Sequence, residues 1–270
     1  MTTTVLAMQH FRDRVASPPV AVTIGYLACL TVAEMALLVG GMLAGAVAHS
    51  LVLLILLVHH IAAPGAVYRP LLLGLALLPL MRLLALTIPL AEVPYLLWYV
   101  MIGLPMLLAA LLVVRAERID PRLIGLTSRF DPLVQLGVAL AGIPLGLLAW
   151  AGLQPAAAVA DLDPVSIALT TVVALAFVAF IEELVFRGLI QGLALHAFGS
   201  SMAAVAVSTA ANGVLVSSSL SPSFLLVTVV VAALFGWLVE ATGALWGVIV
   251  GRALITIGLF AVWPILLGGG

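Results

Sequence analysis

The chain has 270 residues, of which 65% are hydrophobic and only 8% charged, and its mean hydropathy is +1.35. Soluble domains are roughly half apolar and a quarter charged, so this composition belongs to a polytopic membrane protein with the lipid bilayer as its solvent. A formal net charge of -1 and ten basic residues that are all arginine, with no basic tract, exclude a nucleic-acid binder, and the single Cys29 excludes a disulfide framework or a cysteine-rich metal site.

Residues 1–19 are polar, with Arg12, Asp13, Arg14 and the Pro18-Pro19 stop, and read as a cytoplasmic leader without the apolar core of a signal peptide. From Val20 to Ile61 the sequence is apolar except for Glu34, His49, His59 and His60, too long for one span of about 20 residues. Gly40-Gly41 and Gly45 are the natural place to divide it into two helices. Adjacent His59 and His60 cannot share a helix face, which denies them the i, i+4 spacing of a metal pair and leaves them interfacial. A third span runs from about Pro70 to Leu90 with Arg82 inside it, which either snorkels or pairs with Glu34. Glu92 and Pro94 break the chain before a fourth span that carries Trp98 and Tyr99 and ends near Val114. These aromatics read as packing or anchoring groups.

The one long charged connection, residues 115–132, holds Arg115, Glu117, Arg118, Asp120, Arg122, Arg129 and Asp131. A fifth span follows from Leu133 to Leu153, and then a segment with Asp161 and Asp163. Arginine counts put the N-terminus, the Arg69 turn and the 115–132 loop on one side, and the Glu92 and Asp161/Asp163 loops on the other. By the positive-inside rule the arginine side is cytoplasmic. Asp163 before Pro164 is an N-cap with a first-turn proline and starts a sixth helix that continues to Phe198 as a tilted or interfacial extension. Residues 201–219 form a polar seventh span containing Ser208, Thr209 and Asn212. Pro222 opens an eighth that ends near Glu240, and the last runs from Leu245 to about Leu267, interrupted by Arg252 and Thr256. The expected fold class is all-α, a polytopic transmembrane bundle of about 8–9 helices. Its parts are a leader (1–19), four N-terminal helices (20–114), a cytoplasmic loop (115–132) and a core (133–270).

Within the sixth helix lies Phe180-Ile181-Glu182-Glu183-Leu184-Val185-Phe186-Arg187. An ionisable side chain at membrane depth costs about 2.5–3.5 kcal/mol or more and marks function by default. Glu183 and Arg187 are four apart with the acid first, the favourable order for a pair on one helix face. Glu182 points about 100° away, and its own i+4 neighbour is Phe186. Helix geometry therefore gives a structural pair, Glu183 with Arg187, and a glutamate left for other work. The bland alternative is that both acids mark where the helix meets headgroups.

Glu-Glu-x-x-x-Arg followed by Gly-Leu-Ile-Gln-Gly resembles the first motif of the CAAX prenyl protease and bacteriocin-processing (CPBP) family of intramembrane endopeptidases. Similar frames are Phe198-Gly199, the stretch Gly236 to Trp246, and Leu123-Ile124-Gly125-Leu126, so the likeness covers about residues 118–260. The resemblance implies that Glu182 activates the attacking water, that Glu183 pairs with Arg187, and that the substrate is a membrane-associated peptide or protein. It places the chain in a bacterial-type plasma membrane with self-immunity or peptide maturation as its role; no cofactor is expected, and no metal, since no His/Glu cluster in the sequence has ligand spacing. The family's second and third motifs, Phe-x-x-x-His and His-x-x-x-Asn, fall here on Asn212 and Val216, and on Arg252 and Thr256. Both histidines are therefore replaced. Valine relays no proton and arginine stays protonated, so Arg252 is expected to lie beside Glu182 and neutralise it. A degenerate, noncatalytic relative is the reading this supports. The alternatives are an active peptidase, with Asn212 or Thr256 positioning water or oxyanion and His59, His60 or His196 lending an imidazole, and a small-solute transporter or membrane scaffold using Glu34, Arg82 and Glu240.

Overall fold

A computed structural model describes residues 18–89, 93, 95–127, 130–155 and 163–267. Arg12, Asp13, Arg14, Glu92, Pro94, Arg129 and Asp161 lie outside the described residues. Among those described, all regular structure is helical, and eight helices are long and apolar enough to cross a membrane. They are α1 (Pro19–Ala62), α2 (Arg69–Thr87), α3 (Leu97–Ala116), α4 (Pro132–Leu153), α5 (Pro164–Phe198), α6 (Ser201–Ser219), α7 (Pro222–Thr242) and α8 (Trp246–Leu267). The expected membrane-spanning helical bundle is the observed one.

Helix α1 is two antiparallel arms. Gly41 has φ 77° and ψ −173°, a backbone conformation open to glycine alone, and the chain folds back there. Tyr26 and His59 would stand roughly 50 Å apart on a straight helix, yet the Tyr26 hydroxyl is 2.7 Å from His59 Nδ1. The division expected at Gly40-Gly41 is thus a hairpin inside α1, which brings Glu34 against His49 at 3.4 Å.

Asp163 caps α5 through Oδ1, accepting from the backbone of Val165 and Ser166. At 35 residues this helix is about 50 Å long, well beyond a 30 Å hydrocarbon layer. Its last third docks on the 115–127 segment, where a Cβ on Gly192 would stand 2.6 Å from the Leu123 carbonyl oxygen. That segment is more than a connection: Ile119 and Ile124 are buried in the core, and the Leu245 amide donates to the Gly125 carbonyl at 3.0 Å. The Arg69 turn joins the same end, because Glu117 lies 3.6 Å from Arg69 and 3.3 Å from His60. His60 is consequently buried in a polar network at the end of α1.

Candidate active site

Helix α5 departs from α-helical winding on both sides of the acidic pair. Wide i→i+5 turns run over Ala174–Ala179 and Leu184–Gln191, flanking the α-helical turn Phe180–Glu183. Such turns are rare and concentrate at functional sites. Glu183 and Arg187 are 0% and 2% exposed, and Arg187 Nε stands 3.2 Å from Glu183 Oε2. The guanidinium also lies 5.7 Å from the centre of the Phe186 ring, and the Phe186 carbonyl accepts the Ser208 hydroxyl of α6 at 2.9 Å. The pair sits wholly inside protein.

Glu182 faces a different way and meets α8. Its Oε2 accepts from Arg252 Nε at 2.9 Å and from Arg252 Nη2 at 2.5 Å, with the two side chains 26% and 21% exposed. The contact expected from the replaced histidine is present. Small residues bring Arg252 to this place: a Cβ on Gly142 of α4 would run into the backbone of Gly251, so the two helices touch main chain to main chain. At the start of α8 the Gly247 amide donates to the buried Gln135 side chain at 2.6 Å.

A cavity of about 190 Å³ opens beside this ion pair, and Asn212, Val216, Arg252 and Thr256 all line it together with Glu182. Four positions identified only by alignment of motifs therefore converge on one space. The Thr256 hydroxyl donates to the Arg252 carbonyl one turn back at 3.0 Å, which commits its proton to the helix. His59 and His60 lie at the far end of α1, and His196 is exposed near the end of α5; none of the three lines the space around Glu182. Among the described residues, no three His, Cys, Asp or Glu side chains cluster as a metal site would require.

A second cavity of about 160 Å³ lies on the other side of Glu182 and is walled by the N-terminal helices, with Met81, Arg82, Trp98, Tyr99 and Met106 among its lining. Sequence reasoning assigned Trp98 and Tyr99 to packing and missed Met81. A Cβ on Gly103 would stand 3.1 Å from the Phe177 carbonyl, so glycine there lets α3 lie close against α5. From the wall of this cavity Arg82 Nε donates to Glu34 at 2.7 Å, which resolves its two alternatives in favour of pairing. The wall between Arg82 and Glu182 includes Met81, Ile102, Met106, Phe177 and Leu215, which are apolar. Glu240 is held elsewhere, accepting from Gln191 Nε2 at 2.9 Å.

An all-helical bundle of eight apolar helices, with a buried acidic pair on a locally rewound helix, defines an integral membrane protein. Residues 164–258 match the family described as Rce1-like, Type II CAAX prenyl endopeptidase Rce1-like, so this stretch carries an Rce1-like domain, consistent with the CPBP resemblance of its motifs. Residues 1–163 lie outside the match. Neither a curated protein nor a solved structure matches the chain.

Proposed function

We propose that this protein is a CPBP-type membrane protein that has lost peptidase chemistry, with the Glu182–Arg252 ion pair standing where a glutamate would activate water. The single observation that carries the reading is the double donation from Arg252 to Glu182 Oε2. That oxygen is taken up by two guanidinium donors instead of a water, and Val216 on the same cavity can neither take nor return a proton. Glu183 and Arg187 keep their structural pairing, so the scaffold persists without the reaction. We place the protein in a bacterial-type plasma membrane with its N-terminus cytoplasmic. The support is that Arg69, Arg115, Arg118 and Arg122 belong to segments gathered at one end of the bundle.

The test is cleavage of a quenched-peptide library by the full chain in bilayers, compared with Glu182→Gln. The expected result is no difference between the two proteins. Cleavage by the wild type that disappears in Glu182→Gln would overturn the proposal in favour of an active peptidase. That second reading rests on one feature: Glu182 is about one-quarter exposed and borders both cavities, leaving Oε1 without a recorded bond to Arg252.

A further inference from the structure

The 115–127 segment presents charge in an ordered way that neither the acidic site nor the bundle core uses. After α3 ends, the Ile119 amide reaches back to the Val114 carbonyl at 3.0 Å and Arg118 takes a left-handed φ of 49°. This reversal turns Ile119 into the core and leaves Arg118 exposed. A second turn follows, in which the amides of Leu123, Gly125 and Leu126 donate to the carbonyls of Asp120, Arg122 and Pro121 and Ile124 is buried. Arg115, Arg118 and Arg122 therefore project from a backbone fixed by two buried isoleucines and by the Leu245–Gly125 hydrogen bond. All three are exposed, and no ion pair is recorded for any of them among the described residues.

The nearby acids do not cancel them. Glu117 is turned inward to Arg69 and His60, with its side chain 8% exposed. Asp120 accepts the Arg122 backbone amide at 2.9 Å and remains exposed, so residues 115–122 carry three exposed guanidiniums and one exposed carboxylate. Depth is set independently by tryptophan. The Trp246 indole donates to the Thr127 carbonyl at 2.7 Å while the residue stays partly exposed, and Trp237, near the same end of α7, is 60% exposed. Exposed indoles at a helix end sit at headgroup level, and the segment tied to Trp246 lies there with it.

We infer that residues 115–122 form a binding site for anionic phospholipid headgroups, with Arg115, Arg118 and Arg122 as the phosphate-binding groups. Guanidinium forks suit phosphate oxygens, and each basic residue near an anionic surface raises lipid affinity roughly fivefold. Because the segment also supports Gly188 and Gly192 of α5, lipid bound there braces the helix that carries Glu182.

The experiment titrates the detergent-solubilised full chain with phosphatidylglycerol or phosphatidylcholine and follows the unfolding temperature. Phosphatidylglycerol is expected to raise it in a salt-sensitive way, phosphatidylcholine far less, and Arg115→Gln/Arg118→Gln/Arg122→Gln to weaken apparent phosphatidylglycerol affinity at least tenfold while leaving the lipid-free temperature unchanged. Should the triple variant fail to fold, Arg122→Gln alone is expected to weaken it about fivefold. Equal stabilisation by the two lipids, or an unchanged phosphatidylglycerol response in the variants, overturns the site. Inorganic phosphate and glycerol phosphate are run beside the lipids, and stabilisation by either to the same extent overturns the lipid assignment.

Discussion

Arg252 places both donors on one oxygen of Glu182, and that asymmetry makes the two residues interdependent. Replacing Arg252 by Gln removes the charge and leaves Glu182 lining its cavities without the cation. The expected loss is about 1–3 kcal/mol, at the modest end of buried-pair values because both side chains keep partial access to water. The double variant Glu182→Gln/Arg252→Gln is expected to be more stable than the sum of its single changes, with a coupling of about 0.5–3 kcal/mol from chemical unfolding in one detergent. Simple additivity would mean that the pair contributes nothing. At this scale much was legible: the i, i+4 rule separates Glu183 from Glu182, and motif alignment puts Arg252 opposite Glu182. Tyr99, Trp98 and Met81 were not legible, because their place beside Glu182 depends on how α2 and α3 lie against α5, which one-dimensional spacing does not encode.

Among the elements, α8 is fixed by its approach to α4. Gly142 has no room for a Cβ, since the Gly251 backbone occupies that position, and a backbone cannot yield as a flexible side chain does. Gly142→Ala is therefore expected to cost about 1–3 kcal/mol through overpacking and to displace Arg252 from Glu182. A lower unfolding temperature with increased chemical modification of Glu182 by a carboxylate-reactive probe would show both effects. By contrast Gly137, which has open space around it, is expected to accept alanine without loss. Helix limits such as the Asp163 cap and the Gly41 reversal follow from residues with strong local preferences, so they could be read directly. Gly142 and Gly251 could not, since a glycine in an apolar span announces a close contact without naming the helix that makes it. The wide turns flanking Glu182 also have no signature in residue type, being set by the packing of α5 between its neighbours.

For the whole molecule, the membrane class and span order follow from hydropathy and proline, glycine and aspartate breaks, while the N-terminal helices join the Rce1-like region through a shared apolar core, the 115–127 segment and one polar centre. Arg82 of α2 donates through Nε and Nη2 to the two oxygens of Glu34 in α1, at 2.7 and 2.9 Å, and Nη2 also reaches the Leu215 carbonyl in α6. Three helices thus meet at a single guanidinium, with His49 against the same carboxylate. Glu34 is 0% exposed, so it cannot recover hydration if its partner is removed. Arg82→Gln is expected to destabilise the protein by about 3–5 kcal/mol, the range for a buried ion pair that loses one partner, with His49 still beside the carboxylate. Glu34→Gln/Arg82→Gln, which removes both charges, should regain much of that loss. Limited proteolysis adds the whole-molecule readout: cleavage in the 62–69 turn is expected to accelerate in Arg82→Gln as α1 separates from α2 and α6, and to return toward the wild-type rate in the double variant. Wild-type cleavage rates in Arg82→Gln would show that the apolar contacts of α1 hold the two parts together without this centre.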